Sequence, residues 1–175
     1  KVRSDFYKQQ SQQGFMGFTK VNMVKFFETL FYNQDTIMQQ CVEEAFDLLT
    51  KYYKENRVHV EGWKTNDKWK VNRKVILPNM RDSFYPYPCM NYGTRDKITD
   101  IEKAMCFISG KKISNIKTIV SLYDDKKMDF GEWYDSTFFR FKMYKKGTMH
   151  LEFNTKELYE KFNITACKMK NWIGN

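Results

Sequence analysis

The sequence predicts an α+β fold in which three or four helices pack on one face of a small antiparallel sheet. Three observations carry that expectation. Residues 137–153, "TFFRFKMYKKGTMHLEF", alternate apolar and polar side chains on either side of Lys145-Lys146-Gly147, the signature of a hairpin. Residues 22–56 repeat apolar side chains at helical spacing. Two later stretches open with a short polar residue followed three positions on by glutamate, Thr99 with Glu102 and Asn154 with Glu157, as helix starts do.

The elements follow in order. "NMVKFFETLFYN", residues 22–33, places Met23, Phe26, Phe27, Leu30 and Phe31 on one stripe, with Asn22 as N-cap. Residues 34–56 continue the pattern through Ile37, Met38, Cys41, Ala45, Leu48, Leu49 and Tyr52. A short loop at Asn33–Asp35 should reverse the chain and pack the two helices antiparallel, with their aromatic stripe, Phe27 included, in the core. Gly62 and Asn66 then end helical structure, and Val75, Ile76 and Leu77 before Pro78 read as a strand terminus. Residues 68–77 are either one strand or a hairpin turning at Asn72-Arg73, the second being preferred because Asn tolerates left-handed backbone.

"SFYPYPCMNYG", residues 83–93, is an aromatic loop whose tyrosines are expected to pin it to the core. Residues 99–112 read as a short helix capped by Thr99 and Gly110, burying Ile101, Ala104, Met105 and Ile108. A short helix or strand near 116–123 and an acidic loop precede the hairpin. Within the hairpin, Phe139, Phe141, Met143, Met149, Leu151 and Phe153 share the core face. Arg140, Lys142, Tyr144, His150 and Glu152 share the other. Asn154 should cap a last helix carrying Leu158, Tyr159, Phe162, Met169 and Trp172.

A chain of 175 residues is most simply one domain, and 42% hydrophobic with 17% aromatic residues excludes a disordered polymer. No stretch approaches the roughly 20 apolar residues of a bilayer span. The polar opening "KVRSDFYKQQSQQ" is no signal peptide, which points to a cytoplasmic protein with no membrane partner. The missing initiating Met makes the chain a candidate C-terminal part of a longer protein, with residues 1–13 flexible or a helix remnant. Cys41, Cys89, Cys106 and Cys167 show no C-x-x-C spacing and are read as free thiols, with no zinc site.

The net charge is +9, unevenly spread. Residues 51–78 hold eight basic and three acidic residues, and residues 140–170 hold eight and three again, whereas the rest carries 14 and 15. Two basic segments in an otherwise balanced chain are the footprint of a polyanion partner.

Four motifs carry a family resemblance: Lys64-Thr65-Asn66, the apolar strand Lys74 to Leu77, the hairpin stretch Lys146 to Phe153, and "ELYEKFN" from Glu157 to Asn163. With the leading helix pair they resemble the bacterial family called domain of unknown function 4942, found in plasmids, phages and integrated elements. The resemblance covers roughly residues 14–165. Some relatives sit in chains that look like adenine-specific DNA methyltransferases, which implies an accessory or DNA-recognition role and a methyltransferase or other protein as partner. This chain lacks a Gly-rich S-adenosylmethionine loop and the D/N-P-P-Y/F/W tetrapeptide, because Pro78, Pro86 and Pro88 lie elsewhere. No methyltransferase is encoded in these residues, and no cofactor is expected.

No Walker loop, H-E-x-x-H, G-x-S-x-G or H-N-H pattern is present either. His59 and Glu61 could form a base and its orienting carboxylate, but their simpler role is to order a loop. Asp67, Asp124, Asp125, Asp129 and Glu132 could serve a metal-dependent nuclease, although no spacing singles them out. Binding of DNA or RNA has the better physics. Lys64, Lys68, Lys70 and Lys74 would neutralise phosphates while Trp63 or Trp69 stack on bases. Arg140, Lys142, Tyr144, Lys145 and His150 would complete a single surface. The expectation is a non-enzymatic nucleic-acid-binding or accessory domain of a mobile-element or phage protein. The alternative is a protein-interaction module.

Overall fold

The computed structural model describes residues 19–50, 66–67 (backbone only), 70–125 and 128–172. The chain forms two compact units, residues 1–40 and 41–175.

Helix α1 spans Lys20–Tyr32 in the first unit, and helix α2, Gln34–Thr50, begins after one intervening residue and belongs to the second unit from Cys41 onward. The cap of α1 is Thr19, whose side-chain oxygen accepts from the Asn22 N–H at 3.2 Å, so Asn22 lies inside the helix. The expected reversal at Asn33 does not occur. Asn33 N–H donates to the Thr29 carbonyl at 3.1 Å and Ile37 N–H donates to the Asn33 carbonyl at 2.9 Å, so the helical ladder runs through the junction. A single Asn without Gly or Pro costs a helix only a fraction of a kcal/mol, roughly 0.7 at most. The aromatic stripe of α1 is correspondingly outside: Phe27 is 61% exposed, and α1 buries none of its side chains. Periodicity located the stripe, but periodicity does not say what covers it.

The second unit holds the sheet. Strands β1 (Asn66–Asp67) and β2 (Lys70–Val71) pair antiparallel as a separate two-stranded ribbon. Strands β3 (Lys74–Leu77), β4 (Tyr134–Asp135), β5 (Phe139–Met143) and β6 (Met149–Phe153) form an antiparallel sheet in the order β3-β6-β5-β4. The β1–β2 pairing sets Asp67 opposite Lys70, so Asn72-Arg73 is not the turn of a hairpin. Those two residues lead from the ribbon into β3, and Arg73 already belongs to the larger ladder, its carbonyl accepting from Phe153 N–H at 2.9 Å. A four-residue apolar strand gains more by pairing along β6 than by folding back on the two residues of β2.

The 139–153 hairpin has the expected register, with Phe139 opposite Phe153, Phe141 opposite Leu151 and Met143 opposite Met149. All six are buried. Gly147 in the turn has φ +87°, a left-handed backbone that a Cβ would strain. Helix α3, Tyr92–Ser109, is seven residues longer at its start than expected. Asn91 caps it, its side chain accepting from Thr94 N–H at 2.9 Å, and Gly110 ends it in the left-handed conformation. Thr99 and Glu102 therefore form no capping box. A 3₁₀ turn, Ile113–Asn115, precedes the short helix α4, Ile119–Asp125.

Helix α5, Lys156–Met169, is capped by Thr155, which accepts from Leu158 N–H at 3.2 Å. Asn154, expected in that role, instead donates to the Ser136 and Thr137 carbonyls and ties the end of β6 to the β4–β5 connection. The inner sheet face packs into one core with Ile98, Ile101, Met105 and Ile108 of α3, Phe162 and Ala166 of α5, and Phe46 and Leu49 of α2. Phe153 stands 4.9 Å from Phe139 and 6.0 Å from Phe162, centroid to centroid. The fold is α+β, as the sequence predicts.

Candidate nucleic-acid interface

Strand alternation sends every second side chain of the sheet away from the core. On that outer face Lys74, Glu152, Arg140 and Asp135 align in one cross-strand row, and Ile76, His150 and Lys142 align in the next. The first row is largely neutralised within itself. Glu152 sits 3.6 Å from Arg73 and 3.8 Å from Lys74, and Arg140 lies 3.9 Å from Asp135. Such partly exposed pairs contribute little stability, but they cancel field. The positive excess therefore shifts toward the turn, where Lys142 is followed by exposed Lys145 and Lys146.

Aromatic rings hold these cations in place. The Arg140 guanidinium lies 4.9 Å, and the Lys142 ammonium 4.6 Å, from the centre of the Trp133 ring. Lys142 is also 4.9 Å from the Tyr144 ring, which in turn meets His150 at 4.7 Å. Cation, ring, cation, ring and imidazole form a ladder along the solvent side of β5. Each cation–π contact at an exposed site is worth about 0.5–1 kcal/mol, which offsets part of the entropy cost of ordering a long side chain. The His150 imidazole is pushed down to about 4, first by burial and then by Lys142, so it stays uncharged at neutral pH.

Three of these features escaped the sequence reading. Trp133 sits one residue before β4, and the register that pairs Asp135 with Arg140 carries it opposite Lys142. The visible signal was its two-residue spacing from Asp135, which sets both on one face of an extended strand, at the end of a stretch read as an acidic loop. Arg81 is the second. Its guanidinium donates to the Lys145 carbonyl at 2.7 Å and to the Tyr85 carbonyl at 2.6 Å, and lies 4.8 Å from the Phe130 ring. The third is the 83–93 loop, whose rings do not pin it to the core. Phe84 is 86% exposed and Tyr87 54%, while Pro88 and Met90 supply the buried anchors.

Of the residues expected at the interface, Lys74, Arg140, Lys142, Tyr144 and His150 lie on or at the margin of this face, and Lys145 lies in its turn. Lys70 is exposed on the separate ribbon. Trp63, Lys64, Lys68 and Trp69 fall outside the described residues, as do His59 and Glu61. Among the candidate carboxylates, Asp124 is engaged by the Arg95 guanidinium at 2.7 Å. Among the described residues no group of three or more His, Cys, Asp or Glu converges on a metal-sized position. Burial pushes the thiols of Cys41, Cys106 and Cys167 up, the opposite of an activated nucleophile. Among the described residues no helix is long and apolar enough to cross a membrane.

Neither a curated protein nor a solved structure matches the chain. A family model described as Domain of unknown function (DUF4942) matches residues 1–172 of the 175.

Proposed function

The chain belongs to the DUF4942 family, and for this member we propose non-catalytic binding of nucleic acid, as an accessory domain of a mobile-element protein. The observation that carries the reading is the ladder Arg140–Trp133–Lys142–Tyr144–His150 leading to Lys145 and Lys146. Phosphate binding needs cations that are exposed, close together and already ordered. Stacking on Trp133 and Tyr144 supplies the order, and the turn supplies two more charges beyond the reach of Glu152 and Asp135. Protein interaction is favoured by a separate observation, the exposed Phe27 and Phe31 of α1, 61% and 75% accessible.

The test is fluorescence anisotropy of a labelled oligonucleotide across salt. Neutralising three or four phosphates gives a slope of log affinity on log salt of about −3. Lys145→Glu with Lys146→Glu should weaken binding and make that slope shallower. Absence of binding at low salt would reject this reading and favour a protein partner.

A further inference from the structure

We propose that the turn end of the sheet is built for unpaired bases, so that the ligand is a single strand; this rests on the nucleic-acid reading above. Two structures meet at that end. One is a shallow hollow lined by Phe130, Tyr144, Lys145, Lys146, Thr148 and His150. The other is the 82–89 loop, which holds Phe84, Tyr85 and Tyr87 in a chain of rings 5.3 and 5.4 Å apart. Arg81 joins them, because it donates both to Tyr85 in the loop and to Lys145 in the turn, and caps the Phe130 ring at the edge of the hollow. Met80 N–H donates to the Gly147 carbonyl at 2.8 Å, which fixes the segment leading into the loop against the turn.

The loop is held in shape. Asp82 N–H donates to the Cys89 carbonyl at 2.8 Å and closes its neck, the Asp82 carboxylate accepts from Phe84 N–H at 3.0 Å, and Pro86 and Pro88 stiffen the returning limb. Ordered, solvent-facing aromatic rings next to lysines match one ligand chemistry closely. In a duplex the base faces are already stacked on one another, whereas a single strand offers each face to a ring while its phosphates reach the cations. Phe84 and Tyr87 flank Tyr85 and are accessible, so each can take a base. The hollow has an aromatic wall, a basic rim and a neutral imidazole, which suits a base with its phosphate on Lys145 or Lys146.

The experiment compares strands of equal length: oligo-dT, oligo-rU, a DNA duplex and an abasic strand. Single strands should bind on the order of ten-fold tighter than duplex or abasic strand. Tighter binding of the DNA or the RNA strand names the sugar. Phe84→Ala with Tyr87→Ala should lose on the order of ten-fold or more on single strands, leave duplex binding unchanged, and keep the salt slope. Both side chains are exposed, so the fold is not at stake. Equal affinity for all four ligands, or aromatic variants that bind single strands normally, would overturn the inference and leave salt-dependent binding standing. If no strand binds at low salt, both readings fail together.

Discussion

The side-chain amide of Asn163 satisfies both backbone hydrogen-bonding groups of Val71. Its Oδ1 accepts from Val71 N–H at 2.8 Å, and its Nδ2 donates to the Val71 carbonyl at 2.9 Å and to the Tyr159 carbonyl at 2.9 Å. An amide reproduces the donor–acceptor pair that a neighbouring strand would offer, so α5 acts as a partner for β2. Val71 is fully buried, and its backbone groups have no access to water as a substitute. The basic ribbon that carries Lys70 is fastened to the core at this point.

Asn163→Ala should therefore cost about 1–3 kcal/mol in urea denaturation, the penalty of unpaired buried backbone groups. Asn163→Asp should cost at least as much, because a carboxylate oxygen would then face the Val71 and Tyr159 carbonyls. A change below about 0.5 kcal/mol in both variants, the scatter of ordinary surface substitutions, would show that the ribbon is held by other contacts.

Phe153→Ala removes a ring with no solvent exposure that touches Phe139, Tyr159 and Phe162. The expected loss is about 3–5 kcal/mol, since the surrounding rings collapse only partly into the gap. Phe27→Ala, at a 61% exposed site on α1, should stay within about 0.5 kcal/mol in the same assay. The contrast between two phenylalanines tests whether the core is that of the sheet unit.

Glu102 gives a pH prediction. Its carboxylate is fully buried in α3 and accepts from Ile119 N–H at 2.9 Å, and burial pushes its pKa up from 4.5 to about 7 despite that hydrogen bond. The folded protein then holds a proton between pH 4.5 and 7 that the unfolded chain releases. Stability from this group is fully present below 4.5 and is lost as pH rises through 7, a loss of up to about 3 kcal/mol. Glu102→Gln keeps an acceptor for Ile119 and should abolish this slope, leaving the variant about 1–3 kcal/mol more stable than its parent at pH 8. Parallel stability curves for the two proteins from pH 5 to 8 would contradict the assignment.

Much of this fold was legible where a local pattern and its tertiary partner coincide. The 139–153 hairpin carries both strands, its turn and its core face within one short stretch, so its register followed from alternation alone. The end of α3 at Gly110 was equally local. What escaped were choices made by distant partners. Glu102 reads as a capping glutamate until Ile119 supplies its donor, and Asn154 reads as a cap until the carbonyls of the β4–β5 connection claim its amide. Asn163, visible only as the last residue of "ELYEKFN", has its meaning in Val71, 92 positions away. The candidate surface divides in the same way. Alternation placed Arg140, Lys142 and His150 on the outer face, whereas Trp133 and Arg81 joined it through register and through a loop whose rings turn outward.

His150 supplies the last prediction, which separates charge from contact at the surface. With its pKa lowered to about 4 against an ordinary 6.5, the unfolded chain takes up a proton in that interval that the folded protein refuses. Its contribution to stability is thus complete above 6.5 and is lost as pH falls toward 4, the reverse of Glu102. Partial exposure limits the loss to about 1–2 kcal/mol. The opposed slopes make Glu102→Gln the proper background in which to measure it. In that background, His150→Phe should keep a ring against Tyr144 and flatten the remaining acid-side slope. In the free protein the His150 ring signal in NMR should hold its neutral position from pH 8 to about 5.5, where an unperturbed imidazole would have titrated. Oligonucleotide affinity over that range should owe nothing to His150 charge, so His150→Phe should match the parent's pH profile. A ring that titrates near 6.5, with binding that tightens in step, would make His150 a charged phosphate contact instead of a neutral element of the ladder.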